Sequence, residues 1–258
     1  MASGEDLALL ALADANVVAQ WRLLGDRRPG GEVIAGPGTL YVITGLPASH
    51  FNALIVTVPH RDPDGLLATA RALFAERGVP WCLRARGRAA AGLEGPARHA
   101  GMVLDALETA MVLHPLGPAP PPRDDLVIRR TQDDLSAQRH VEVVAAAFGA
   151  PVSMMASLLP TSLLTDSGFQ PFVGDFRGAP VTASALVTTQ VVAGVYNVGT
   201  LPALQRRGLG TAMTWHALEV GRQTGCTVGA LQATVGGRAV YERMGFRALD
   251  TWYQWVAE

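Results

Sequence analysis

The sequence LPALQRRGLG, at Leu201–Gly210, places two arginines beside two closely spaced glycines after a long uncharged run. A strand pattern over 191–201 precedes it, and a helix pattern over 210–225 follows it. The first turn of a helix carries N–H groups without intrahelical partners and the positive end of the helix dipole. Glycine lets the backbone come close to a ligand. The stretch therefore predicts a phosphate or diphosphate site. Taken alone, it leaves open an ordinary surface loop at the start of a helix.

The composition limits how such an anion can be held. All 21 basic residues are arginine, so a lysine Schiff base and a lysine-containing phosphate loop are excluded. The stretch contains neither GK[ST] nor GxGxxG. Main-chain N–H groups and arginine must then hold the phosphate. The net charge of −1 gives no general attraction to nucleic acid or to an anionic membrane surface.

The two cysteines, Cys82 and Cys226, lie far apart and outside any metal-binding motif. Neither a disulfide framework nor a metal site is expected, and a reducing, cytoplasmic location fits best. The N-terminus has acidic residues before its apolar run and no basic segment, which argues against a signal peptide. The uncharged segment 143–165 is long enough to span a bilayer, but it is interrupted at 148–151 and at Pro160. Two buried helices joined by a turn are expected there.

Five prolines between residues 115 and 122 mark the clearest boundary in the chain. They predict an N-terminal domain over 1–115, a linker over 116–124 and a C-terminal domain over 125–258. The N-terminal part contains a strand, helix and strand pattern over 52–85. The C-terminal part has the predicted order β-α-α-β-β-β-α-β-α-β. The fold class expected is α/β, with a mixed sheet.

Three motifs in the C-terminal part resemble the GCN5-related N-acetyltransferase (GNAT) superfamily. QRRGLGTA matches its Q/R-x-x-G-x-G/A signature, VYNVGTLP looks like its acyl-CoA-binding strand, and AVYERMGF resembles its short helix with a tyrosine. The predicted order of elements over 125–258 also resembles that fold. The N-terminal part looks like a second, degenerate half of the same kind, because it has no Q/R-x-x-G-x-G loop in the matching place. It is expected to be structural and to help wall the acceptor site.

The resemblance implies that acetyl-CoA is the cosubstrate. It places the pantetheine beside the backbone of three strand residues, which are Val198, Gly199 and Thr200. It places the diphosphate against a second set of residues, which are Gln205, Arg206, Arg207, Gly208, Leu209, Gly210 and Thr211. Main-chain N–H groups are expected to do most of the holding, and no metal is implied.

Tyr241 matches the tyrosine that the family often uses as general acid toward the leaving thiolate. The alternative is a half-buried packing residue beside Phe246. A general base is less visible, because residues 178–205 contain no carboxylate. Asp175 and Glu142 are candidates without further support.

The function expected is acetyl transfer from acetyl-CoA to a primary amine of a small molecule or peptide, by direct attack in a ternary complex. A catalytically weak acyl-CoA-binding sensor or scaffold is the alternative. A nucleotide-phosphate hydrolase is disfavoured, because the phosphate-loop lysine and an acidic metal-binding cluster are both missing. The partners expected are acetyl-CoA and an amine, with neither nucleic acid nor membrane. The sequence leaves open the acceptor amine and the oligomeric state, a homodimer included.

Overall fold

The fold is mixed α/β, and the computed structural model describes residues 3–257. The helices are α1 Gly4–Asp26, α2 Pro63–Glu76, α3 Gly87–His99, α4 Asp134–Phe148, α5 Val152–Leu158, α6 Thr161–Leu164, α7 Leu209–Gln223 and α8 Arg238–Arg243. The strands are β1 Glu32–Gly36, β2 Thr39–Ile43, β3 Ala53–Val56, β4 Cys82–Arg86, β5 Met102–Leu113, β6 Leu126–Arg130, β7 Phe169–Phe176, β8 Ala179–Thr189, β9 Val192–Thr200, β10 Val228–Thr234 and β11 Arg247–Ala257.

The chain packs as two compact units that do not follow the order of the sequence. Unit 1 consists of the residues up to Val17, Met111–Leu231 and Ala239–Arg247. Unit 2 consists of Val18–Ala110, Gln232–Arg238 and the residues from Ala248 onward. The boundaries expected around the proline-rich segment divide the chain by sequence, and they stay a prediction.

In unit 1, strands are ordered β10-β9-β8-β7-β6. The β10–β9 pair is parallel, and the three other pairs are antiparallel. Helix α4 covers one face, where a Cβ on Gly199 would lie 2.8 Å from the Cβ of Ala147. Helix α7 covers the other face, where a Cβ on Gly221 would lie 2.5 Å from that of Ala193. Strand β9 is therefore enclosed between two helices.

Local signals explain why these elements begin and end where they do. The hairpin between β7 and β8 turns at Arg177 and Gly178, whose φ angles of 53° and 86° suit a tight two-residue turn. Helix α4 begins with a capping box between Asp133 and Ser136. It ends at Gly149, which has the left-handed conformation typical of a helix end. The Arg-Gly dipeptide between two strand patterns predicts this hairpin, and Gly149 after an apolar helical pattern predicts this helix end, so the structure confirms both predictions.

The first part of α1 belongs to unit 1, where it is tied to the sheet by one buried side chain. Asn16 donates from Nδ2 to the carbonyl of Val187 and to Thr189 Oγ1, both at 2.9 Å. Its Oδ1 accepts a 2.6 Å hydrogen bond from the hydroxyl of Tyr196. A Cβ on Gly194 would lie 1.8 Å from that same Oδ1, so only glycine leaves room for this contact. No local pattern in the sequence indicates that this helix is part of the unit.

In unit 2, strands are ordered β1-β2-β3-β4-β11-β5. The last strand of the chain thus lies beside β4, with Trp252 opposite Arg86 in an antiparallel ladder. Helices α2 and α3 cover a core that includes Leu54, Phe74 and Leu83. The strand, helix and strand predicted over 52–85 are confirmed as β3, α2 and β4.

One segment differs from its sequence prediction, and the structure settles the conformation of a second segment whose pattern is ambiguous. The segment 152–164, predicted as one helix, forms the two short helices α5 and α6. Pro160 explains the break, since it lacks an N–H group and disfavours helical geometry at the residue before it. The segment 100–115, which fits helix or strand by pattern alone, forms β5. The segment forms a strand because it pairs with neighbouring strands of the sheet, and this pairing cannot be predicted from the local sequence.

By length and composition alone, α1 could cross a membrane: it has 23 residues, and its most apolar window has a mean hydropathy of 1.4. Core helices of soluble proteins also pass this test. Five of its apolar residues are buried in the structure, namely Leu9, Leu10, Ala13, Val17 and Trp21. The helix is therefore weak support for a membrane span.

Candidate functional site

Strands β9 and β10 separate part of the way along their length. Their parallel ladder runs from the pair Val192 and Val228 to the pair Gly194 and Ala230, where it stops. Strand β9 continues to Thr200 and stays paired with β8. An open edge of β9 therefore faces the gap.

A β-bulge lies in the open part of β9. The register with β8 shifts between Ala183 and Ala185, and the bulge residue Asn197 has a φ angle of 53°. A bulge leaves one residue without a ladder partner and increases the local twist. The bulge at Asn197 lies just beyond Gly194, the last residue of β9 that pairs with β10.

The direction of the β9 backbone can be followed beyond the bulge. Leu201 donates its N–H to the carbonyl of Val181, which places its peptide groups on the β8 side. Because backbone directions alternate along a strand, Gly199 also points toward β8, while Val198 and Thr200 point into the gap. The carbonyl of Gly199 indeed accepts a 2.8 Å bond from Thr182 Oγ1. Two of the three predicted strand residues thus present backbone groups on the open edge.

The predicted anion loop lies at the end of β9. A short 3₁₀ turn over Pro202–Leu204 leads to Gln205, whose side chain donates to the carbonyl of Thr200 at 3.3 Å. Arg206 and Gly208 follow with φ angles of 61° and 76°, both in the left-handed region. Left-handed residues in such a loop turn successive N–H groups toward one concave side, which suits an anion.

Helix α7 opens directly from this loop. Its N-cap is Gly208, so no capping side chain occupies the N–H groups of the first turn. That turn contains no acidic residue, and Arg206 and Arg207 just before it are exposed. The helix start lies close to β9, since a Cβ on Gly210 would be 3.6 Å from Val198 Cγ1 and 3.8 Å from Thr200 Oγ1. The two predicted sets of binding residues are therefore brought together.

The corresponding segment of unit 2 has none of these properties. Strand β3 stays paired with β4 over its whole length, from Ala53 to Val56. Helix α2 is capped by Asp62, whose carboxylate accepts the N–H of Gly65 at 3.0 Å. Asp64 adds a second acid in the first turn. A phosphate would be repelled there, which agrees with the missing glycine signature.

Tyr241 lies on α8 and is half-buried. Its ring makes an edge contact with Phe246 at 5.9 Å between centroids. Burial raises the pKa of Tyr241, and a hydrogen bond with Thr214 of α7 acts in the opposite direction. The phenol is thus protonated near neutral pH, as a proton donor must be.

The candidates for a general base are already engaged. The side chain of Asp175 accepts a 2.6 Å bond from Arg129. Glu142 is exposed and accepts a 2.9 Å bond from Gln138. Among residues 3–257, no group of three or more His, Cys, Asp or Glu side chains is placed to hold a metal ion.

One residue of the site lies outside every motif recognised in the sequence. Arg123, at the end of the proline-rich segment, donates from Nη1 to the carbonyl of Arg207 at 2.9 Å. The two residues are 84 positions apart, so no local pattern could have indicated the contact.

Comparison with known proteins agrees with this geometry. A model of the acetyltransferase (GNAT) family matches residues 153–246, which include β9, the loop, α7 and α8. No curated protein sequence matches the chain.

Several solved structures share the fold at low sequence identity. A GCN5-related N-acetyltransferase from Kribbella flavida aligns with a TM-score of 0.72 and 18% identity, over 94% of this chain and 95% of that one. Another, from Sphaerobacter thermophilus, has a TM-score of 0.60 and 17% identity, over 86% of this chain and 81% of that one. A tandem GNAT protein from the clavulanic acid biosynthesis pathway has a TM-score of 0.58 and 17% identity, over 95% of each chain. Residues 153–246 therefore match the acetyltransferase (GNAT) family model, and the fold of the chain is similar to that of GNAT proteins.

Proposed function

We propose that this protein transfers an acetyl group from acetyl-CoA to a primary amine of a small molecule or peptide. The family and the fold support acyl transfer in general. The observation that carries the finer proposal is the open edge of β9 ending at the uncapped start of α7. An amide-containing chain can pair with such an edge while its diphosphate meets free N–H groups at the end of the strand.

The open edge suits the pantetheine arm of the cosubstrate. In this proposal Val198 and Thr200 supply the backbone groups that pair with its amides. Gly199 contributes differently, because its carbonyl is bonded to Thr182 and its missing side chain lets α4 pack closely. The thioester would then lie in the gap between β9 and β10.

The diphosphate would be held by the loop from Gln205 to Thr211. The N–H groups around Gly208 supply directed hydrogen bonds, and charge-assisted bonds of this kind are among the stronger ones in proteins. Arg206 and Arg207 add positive charge from the exposed side of the loop.

Tyr241 is the proposed general acid. Attack of an amine on a thioester gives a tetrahedral oxyanion, whose collapse expels the CoA thiolate. A thiol has an ordinary pKa of about 8.5 and a phenol of about 10, so a strong hydrogen bond from the phenol stabilises the thiolate even before full proton transfer. No covalent enzyme intermediate is needed in a ternary complex, and both cysteines are buried.

The missing base favours a second candidate function. Residues 178–205, which include all of β8 and β9, contain no carboxylate to take a proton from the amine. Either the amine arrives neutral, or a group from another segment accepts its proton. Failing both, the protein would bind acyl-CoA as a sensor or scaffold with little turnover.

Two measurements separate these functions. Isothermal titration with acetyl-CoA tests binding, and release of free thiol in the presence of an amine panel tests transfer. The enzyme requires both signals, whereas the sensor gives only the first. Absence of any binding by folded protein would overturn both.

The two free cysteines fit a reducing compartment, and we place the reaction in the cytoplasm. The acceptor amine is to be identified by the same panel. Size-exclusion chromatography with light scattering would separate a monomer from the homodimer considered from the sequence.

A further inference from the structure

Arg123 makes two kinds of contact with one guanidinium group. Through Nε and Nη2 it binds both carboxylate oxygens of Asp125, each at 2.9 Å. Through Nη1 it donates to the carbonyl oxygen of Arg207, also at 2.9 Å. The planar fork of an arginine allows both contacts at once, which a lysine ammonium on a flexible stem does not reproduce.

The carbonyl of Arg207 belongs to the same peptide group as the N–H of Gly208. In a planar trans peptide these two groups point in opposite directions. An arginine that fixes the carbonyl on one side therefore aims the N–H to the other side. Without this contact the peptide has another orientation available, because glycine populates positive and negative φ about equally.

We propose that Arg123 is a positioning residue that holds the Arg207–Gly208 peptide in the orientation that presents the Gly208 N–H to the diphosphate of acyl-CoA. This inference rests on the proposed function, since it assigns a role within the same binding site. A hydrogen bond to the carbonyl also polarises the peptide and strengthens its N–H as a donor.

The ion pair with Asp125 indicates whether Arg123 acts through its orientation or through its charge. Its hydrogen bond with Arg123 keeps the pKa of Asp125 below the ordinary value, so the pair stays ionised at neutral pH. The carboxylate offsets most of the positive charge of the guanidinium. Arg123 therefore acts by orienting the peptide rather than by attracting the phosphate from a distance.

The packing around Gly208 agrees with this role. A Cβ built on Gly208 would lie 3.4 Å from Arg123 Nη1, so the guanidinium lies directly over this glycine. A side chain at position 208 would press on the group that holds the peptide in place. Arg123 and Gly208 thus determine the orientation of this peptide together, although only Gly208 is part of the sequence motif.

The test compares two donors with the same thioester arm, of which only one carries the diphosphate and the nucleoside attached to it. Acetyl-CoA carries both and S-acetylpantetheine carries neither. We expect Arg123→Ala to weaken CoA binding, measured by isothermal titration, and to raise the KM for acetyl-CoA, each roughly tenfold. Turnover at saturation and kcat/KM with S-acetylpantetheine should stay within about twofold of the parent.

Arg222→Ala is the matched control. Arg222 makes a similar two-bond contact with Glu219, at 2.8 and 2.6 Å, in the last turn of α7 and away from the loop. Its side chain is 38% exposed, close to the 36% of Arg123. We expect this variant to bind CoA as the parent does. Thermal melts of both variants check that they fold.

Arg123→Lys separates orientation from charge. It keeps a positive charge but not the fork, so it should lose affinity for CoA nearly as much as the alanine variant. Parental affinity in the lysine variant would overturn the inference. An equal loss with S-acetylpantetheine would overturn it too, because the damage would then not depend on the diphosphate. In both cases CoA binding by the parent would leave the proposed function standing, whereas a parent that does not bind CoA removes both.

Discussion

Thr214 on α7 lies beside the phenol of Tyr241 on α8, where its hydroxyl acts to lower the pKa of Tyr241 against the effect of burial. The hydroxyl of Thr214 also bonds the carbonyl of Gly210 at 2.9 Å. Thr214 is fully buried, so its hydroxyl is shielded from solvent. One threonine thereby connects the proposed acid to the first turn of the helix that receives the diphosphate.

Replacing Tyr241 by phenylalanine should separate catalysis from binding. The ring and its edge contact with Phe246 remain, while the proton donor is lost. We expect kcat to fall about 10²-fold, which is the usual contribution of a general acid, and the Kd for CoA to stay within about twofold. Steady-state kinetics and titration calorimetry measure the two quantities. A variant as active as the parent would make Tyr241 a packing residue.

Thr214→Val should act through Tyr241. Valine keeps the shape of the side chain and removes the hydroxyl, so the phenol loses its partner while α7 keeps its core packing. We expect a drop in kcat of roughly tenfold, from loss of orientation of the acid. The double variant with Tyr241→Phe should be no slower than the tyrosine variant alone. Additive losses in this cycle would show that the two residues act separately.

Much of this site could be predicted from the sequence because its parts are local. Gly208, Arg206 and the start of α7 are neighbours in the chain, and their spacing fixes a strand, a turn and a helix start. Tyr241 was found through its own short motif. Its meeting with Thr214 could not be predicted, since it depends on how α7 and α8 pack.

The features that the sequence did not reveal all join distant segments. Arg123 reaches Arg207 across the unit, and Asn16 of α1 reaches Tyr196 of β9. The separation of β9 from β10 depends on where a ladder stops, which neither strand determines by itself. Residue patterns report which face of an element is apolar, whereas these contacts depend on the tertiary arrangement.

Substitutions at the two loop glycines should have opposite effects. Gly208 has a φ of 76°, and alanine there costs about 1–2 kcal/mol in backbone strain. Gly210 has an ordinary φ, and its nearest atoms, at 3.6 and 3.8 Å, leave room for a methyl group. We expect Gly208→Ala to lower stability and weaken CoA binding roughly tenfold. Gly210→Ala should fold at least as well as the parent and bind CoA normally.

Denaturant titration and calorimetry on both glycine variants provide the check. Gly208→Glu extends the series, because its carboxylate would stand against the diphosphate and should abolish binding. If Gly208→Glu binds CoA like the parent, the ligand does not approach this loop.

The buried His140 should make unit 1 sensitive to acid. It is 4% exposed, its Nδ1 donates to the carbonyl of Phe172 at 3.0 Å, and burial lowers its pKa to about 4. In the unfolded chain the pKa is about 6.5. Above pH 6.5 the histidine is neutral in both states, so its contribution is intact. As the pH falls from 6.5 to 4 the unfolded chain binds a proton that the folded chain excludes, and about 3 kcal/mol of stability is lost.

Urea titrations at several pH values can isolate this effect. His140→Gln should be less stable than the parent at pH 7, because a packed and bonded ring is removed, but its stability should decline less steeply between pH 6.5 and 4. His99→Gln is the control, since His99 is exposed and its replacement should leave the decline unchanged. If stability declines with pH equally steeply in the parent and in His140→Gln, His140 becomes protonated in the folded protein as readily as in the unfolded chain. Its burial would then not lower its pKa.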